Sequence, residues 1–187
     1  MQMNALRPKV LQFMLAAAIT LVPGVSQSAD SSRSASRAIV RKISVTSSAA
    51  LVIAQRALKA ARDRGGEAAV AVVDQEGIPL VVLRTDYGTE QFVTGATDKA
   101  WTAVNFKDST RAIFETIKPD QEDNSQLPHA QRALFLMGGV PLKDGDTVVG
   151  GIGVAGFANG QEDDNVAQLG AHEFQTMLKN EAAQAAR

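Results

Sequence analysis

The chain of 187 residues has no cysteine. That excludes disulfides, a thiolate nucleophile and covalent haem attachment of the c type. Aromatic residues are scarce at 5%, with one Trp, one Tyr and seven Phe, so bulky side chains have little part in filling space. Only two histidines are present, His129 and His172, and no HExxH or metal-spaced His set occurs. There is no cationic excess either. The formal net charge is −1, which gives no reason to expect nucleic acid or an anionic membrane as partner. Long apolar runs are missing too: Val10 to Val22, broken by Gln12 and Thr20, is too short for a comfortable membrane span.

What the N-terminus does have is a targeting pattern. Arg7 and Lys9 precede the apolar run, Pro23-Gly24 ends it, and Ser26, Ser28 and Ala29 are small enough for signal peptidase. Residues 1–29 therefore read as a signal peptide and the mature protein as periplasmic or secreted. Loss of Arg7 and Lys9 takes the charge from −1 to −3. Residues 30–46 read as a flexible leader and 47–187 as a single domain, long enough for one core without staples.

Within that domain, Ala50, Ile53, Ala54, Ala57, Leu58 and Ala61 share one helical face, capped by Thr46 or Ser47 and ended by Gly65-Gly66. Ala68 to Val73 is a continuous apolar run, expected to be a strand buried on both faces. It returns as Ile78 to Arg84 after a four-residue turn. Thr89 caps a second helix with Phe92, Val93, Ala96, Ala100, Ala103 and Val104 inward, and Asp108 restarts a third that stops at Pro119. Asp120 to Pro128 is a polar loop, and Ala133 to Met137 is expected to be the third strand. Gly138 to Gly156 then reads as a hairpin turning at Asp144-Gly145. The last helix follows Asn159-Gly160, with Glu162, Asp163 and Asp164 in its first turn, where acids complement the helix dipole. The expected fold is an α/β sandwich with five mainly antiparallel strands and helices on both faces.

Gly150, Gly151, Gly153 and Gly156 are more glycines than a strand normally holds, and they suggest a pocket wall or a subunit contact. Gly151-x-Gly153-x-x-Gly156 formally matches a dinucleotide fingerprint, but no second parallel strand follows, so that reading is rejected. The alanine face from Ala50 to Ala61 and these glycines together predict a homo-oligomer, a dimer or larger, against the alternative that both pack within one subunit.

The sequence resembles the GlcG/HbpS-like haem-binding family. The resemblance is carried by Val70-Ala-Val-Val-Asp74, Gly77, Arg84-x-Asp86, Lys99-Ala-x-Thr-Ala103, Phe106, Thr110, Gly138-Gly-Val-Pro141, Val149 to Gly156, and Asp164. Thr85 and Tyr87-Gly88 depart from the family's usual Met before, and Gly-Ala after, the aspartate. The resemblance implies a profilin-like α/β sandwich, homo-oligomers, and binding of haem or a related tetrapyrrole. It places Arg84, Asp86, Lys99, Thr102, Phe106, Gly138 and Gly139 around the ligand.

Haem is a flat apolar dianion whose iron takes an axial N, S or O ligand. His129, in the loop before the expected third strand, is the metal-ligand candidate. His172 and Tyr87 are weaker ones. Arg84, Asp86 and Lys99 form either a polar rim for a carboxylate-bearing ligand or an ion-pair network between helix and sheet. Trp101 and Phe106 either line a cavity or belong to the core. The favoured function is non-catalytic haem binding. The alternative is an isomerase or hydrolase for a small organic acid, with Arg84 holding the carboxylate and Asp86 or Lys99 moving the proton.

Overall fold

The computed structural model describes residues 40–116 and 131–187. The signal peptide, most of the leader, the Asp120–Pro128 loop and His129 lie outside the described residues. Among the described residues are four helices and one antiparallel sheet. In chain order the elements are α1 (Ser47–Asp63), β1 (Ala69–Asp74), β2 (Pro79–Arg84), α2 (Glu90–Phe106), α3 (Thr110–Thr116), β3 (Gly139–Asp144), β4 (Thr147–Ala155) and α4 (Gly160–Ala185).

The sheet runs β2-β1-β4-β3, every pair antiparallel, with β1 and β4 at its centre. Helices cover both faces. On one side α1 and α4 pack Ile53, Leu58, Val166 and Phe174 against Val70, Val72, Leu142, Ile152 and Val154. On the other, α2 lays Ala96, Ala100 and Val104 on Ala69, Ala71, Val73 and Ala155. Alternate residues of β1 thus serve opposite layers, which is why its apolar run is unbroken.

Local signals act as the residue types dictate. The Thr46 hydroxyl accepts from the Ala49 amide and caps α1, and Gly65 at φ +71 lets the chain leave it. The Asp74 carboxylate accepts the amides of Glu76 and Ile78 at 2.8 and 2.9 Å and so shapes the β1–β2 turn. Val45, ahead of α1, donates its amide to the Val149 carbonyl at 2.8 Å and joins the core.

Two expectations need correction. Among the described residues the sheet has four strands, not five, because Ala133 to Met137 pairs with no strand. Its Leu134 amide donates instead to the Thr102 hydroxyl on α2 at 2.9 Å, while Phe135 is buried and Leu136 exposed. A side-chain acceptor has replaced the ladder. The glycine-rich run of β4 is also not free for a neighbour. A Cβ on Gly153 would collide with the Ala96 carbonyl and come within 2.6 Å of the Ala100 nitrogen. On Gly151 it would meet Val104 at 2.7 Å. These glycines seat α2 directly on the sheet, and the Ala50–Ala61 face is buried in the same subunit. Both features are accounted for by packing within one subunit.

Candidate functional site

The site grows from a lysine on an apolar helix face. Lys99 follows Ala96 by three residues and precedes Ala103 by four, so it sits in phase with the stripe that α2 buries. It is 3% exposed. Its ammonium donates to Asp163 Oδ2 at 2.8 Å and to the Val154 carbonyl at 2.9 Å. Asp163, in the first turn of α4, is equally buried, and its Oδ1 accepts the Phe157 amide at 3.2 Å. A buried ion pair of this kind costs desolvation that well-packed apolar side chains would avoid, so it is weak evidence for stability. A buried pair at a cleft points to function instead.

The backbone makes room for the pair. Gly138 has φ +117, and a Cβ there would lie 2.8 Å from Asp163 Cβ and 3.2 Å from Lys99 Nζ. On Gly139 it would collide with the Lys99 carbonyl and approach Thr110 Cγ2 to 2.6 Å. Burial pushes the Asp163 carboxyl above the usual carboxylate range; the Lys99 charge and hydrogen bond and the Phe157 and Gly156 amides pull the other way without cancelling it.

Two cavities share this pair as a wall. The larger, about 440 Å³, lies between the first half of α2 and the start of α4, with Phe92, Leu134, Leu136, Ala155 and Phe157 as its apolar lining. Its polar lining comes from Glu90, Gln91, Thr94 and Asp98 beside the pair. The smaller, about 290 Å³, is lined by Phe114, Phe135, Leu136, Met137, Phe157 and Ala158, again with Lys99 and Asp163. Leu136 and Phe157 border both. The larger falls within the size range of small-molecule sites.

Of the residues expected around the ligand, Lys99, Gly138 and Gly139 converge here. Thr102 is fully buried and acts through its hydroxyl, which donates to the Asp98 carbonyl at 2.6 Å while holding Leu134 at the larger cavity. Phe106 stacks edge-to-face on Phe135, a wall of the smaller cavity, with ring centroids 5.3 Å apart. Arg84 and Asp86 stand elsewhere, exposed at the end of β2. The Arg84 guanidinium donates to the Thr85 and Asp86 carbonyls, both at 2.9 Å, and Lys99 pairs with Asp163, not Asp86. Tyr87 is 81% exposed, and His172 lies on the far groove between α4 and β3. Trp101 stacks under Arg132, 5.4 Å from its ring centre, and borders neither cavity.

Sequence reasoning missed Asp163, Asp164 and Arg111. The first-turn acids of α4 were explained by the helix dipole alone, yet Asp163 and Asp164 are buried and paired. Asp164 Oδ2 accepts from Arg111 of α3 at 2.7 Å. A signal was available: Asp163 leads Val166, Ala167, Gly170 and Phe174 at 3, 4, 7 and 11 residues, on the stripe that α4 buries. No group of three or more His, Cys, Asp or Glu able to hold a metal ion occurs among the described residues.

A family model described as "Haem degrading protein HbpS-like" matches residues 45–172, the segment that carries the sheet, the pair and both cavities. The chain belongs to the HbpS-like family. A Citrobacter freundii protein, described as an uncharacterized 15.0 kDa protein in the dhaT-dhaS intergenic region, is 30% identical over 116 residues, covering 60% of this chain and 80% of that one. The structure of a doubly substituted HbpS from Streptomyces reticuli is 32% identical with a TM-score of 0.67, covering 84% of this chain and 97% of that one. A PduOC:heme complex, 23% identical with a TM-score of 0.65 and covering 70% and 95%, shares the fold.

Proposed function

We propose that this HbpS-like protein is exported and binds haem or a related tetrapyrrole in the larger cavity, as a binder and not as an enzyme. The observation that carries the reading is that cavity. It measures about 440 Å³, is walled by Phe92, Leu134, Leu136, Ala155 and Phe157, and belongs to a family described by haem. A relative of the same fold was crystallised with haem, which supports it. The export half rests on the Arg7–Ala29 pattern, and N-terminal sequencing of the secreted protein checks it.

The wall suits the flat apolar body of the group. Its charged ends need a cation, and Lys99 is already neutralised by Asp163. Arg132 is better placed: it reaches the rim through its pair with Asp98 at 3.4 Å and keeps 43% of its side chain exposed. The described residues of the cavity include no imidazole, and His129, the metal-ligand candidate of the sequence, would be the residue to hold the iron. Iron redox or ligand chemistry would then come from the haem, with the protein controlling water access and orientation.

Titrating haemin into the mature protein is expected to give a saturable Soret shift. A spectrum that stays that of free haemin removes the proposal. An unchanged spectrum in His129→Ala removes only the axial assignment.

A further inference from the structure

The smaller cavity has a chemistry of its own. Among the described residues its lining is apolar, Phe114, Phe135, Leu136, Met137, Phe157 and Ala158, apart from Lys99, Asp163 and the backbone of Gly160. An ammonium has three N–H donors. Lys99 spends two, on Asp163 Oδ2 and the Val154 carbonyl, and the amine lies in the wall with side-chain exposure of 4%. The Asp163 carboxylate accepts from Lys99 on one oxygen and from the Phe157 amide on the other, and offers no donor. Among the described residues the pair therefore keeps one Lys99 N–H donor, at a wall that the aromatic slot shares with the larger cavity.

The charge balance narrows the ligand further. Asp163 cancels the charge of Lys99, so a carboxylate placed against the third donor would face Asp163 at close range with no net attraction. A neutral oxygen accepts the same hydrogen bond without that repulsion. It also avoids stripping a second anion of its water. We infer that the smaller cavity is an adjoining binding site for a compact, neutral, mainly apolar molecule bearing a carbonyl or amide oxygen, which accepts a hydrogen bond from Lys99. This goes beyond haem binding in the larger cavity, with which it shares Lys99, Asp163, Leu136 and Phe157, and it runs against a small organic acid as the ligand of Lys99.

Benzamide and its charged isostere benzoate are the probes, followed by amide-proton NMR titration of the mature protein at neutral pH. Benzamide is expected to bind saturably, moving the Phe157 amide resonance, and at least about tenfold more tightly than benzoate. Ala158 is exposed and borders only the smaller cavity, so Ala158→Trp is expected to fold and to weaken benzamide about tenfold or more, with the haemin titration unchanged. Lys99→Met, if it folds, is expected to bring benzamide down to the benzoate level. Benzoate binding as tightly as benzamide overturns the inference. So does benzamide binding that Ala158→Trp leaves intact, or no benzamide binding up to its solubility. Because haemin is followed in the same variant, loss of the haem reading and loss of this site are separate results.

Discussion

The two faces of the sheet are built from different materials. Behind β1 and β4, α1 and α4 supply Ile53, Leu58, Val166 and Phe174, which interlock with Leu142 and Ile152 of the sheet. In front, α2 meets the sheet largely through alanine and glycine and carries Lys99 and Thr102, and Asp163 reaches Lys99 from the first turn of α4 where both cavities meet. A face with little side-chain volume gains little from burial, since stabilisation follows apolar area. It gains precision, because a helix backbone lying on a strand backbone has few ways to shift. The rear face supplies stability, and the front face holds a site at fixed distances.

Neighbouring residues of β4 make the sharpest test of that contrast. Gly153 points forward into the Ala96 carbonyl and Ile152 points backward into the core. Gly153→Val is expected to cost more than ~3 kcal/mol and to abolish folding at ordinary temperature, because the colliding atoms are backbone and cannot rotate away. Ile152→Val is expected to cost about 0.5–1.5 kcal/mol and to leave haemin binding intact. Urea melts of both variants check this. A stable Gly153→Val would show that α2 can lift off the sheet.

The next largest effect falls on the ion pair. Lys99→Met leaves Asp163 buried without its cation and is expected to destabilise by about 3–5 kcal/mol. Adding Asp163→Asn removes the stranded charge while keeping an oxygen for the Phe157 amide, and most of the loss should return. If the double variant is no more stable than Lys99→Met alone, the pair works as a structural strut and the contrast between the faces fails.

How much of this was legible beforehand follows from the range of each signal. The α1 stripe, the two-faced strand β1, the Thr46 and Thr89 caps and the Asp144-Gly145 turn are local, and they stand as read. Ala133 to Met137 has a strand-like composition, but its partner is a threonine hydroxyl some 30 residues back, which periodicity cannot show. The glycines of β4 were noticed, yet their reason is the backbone of a helix that sequence does not place. The sequence offers Arg84, Asp86 and Lys99 as either a ligand rim or an ion-pair network; the structure pairs Lys99 instead with Asp163, 64 residues away, which spacing along the chain cannot show. The phases of Lys99 on α2 and of Asp163 on α4 each put a charge on an apolar stripe. Two such violations in one domain are the signal for a buried pair.

The smallest expected effect is on pH dependence, and it separates the faces without disturbing either. Burial raises the Asp163 carboxyl above its ordinary value of 3.8, so the folded state binds this proton more tightly than the unfolded chain does. Stability contributed by the group is therefore complete below 3.8 and is lost as pH rises through the higher, folded value. The charges around it are Lys99 from α2, with Glu162 and Asp164 on its own helix turned to Arg64 and Arg111. Asp163→Asn removes the titration and little volume. On acidification from neutral pH toward 4, the wild type should gain stability relative to Asp163→Asn, even while both lose it through their other carboxylates. Melting curves of the two proteins recorded side by side give that difference directly. Parallel curves, or a wild type that loses ground as pH falls, would mean that Lys99 outweighs burial and that the front-face pair is an ordinary ion pair.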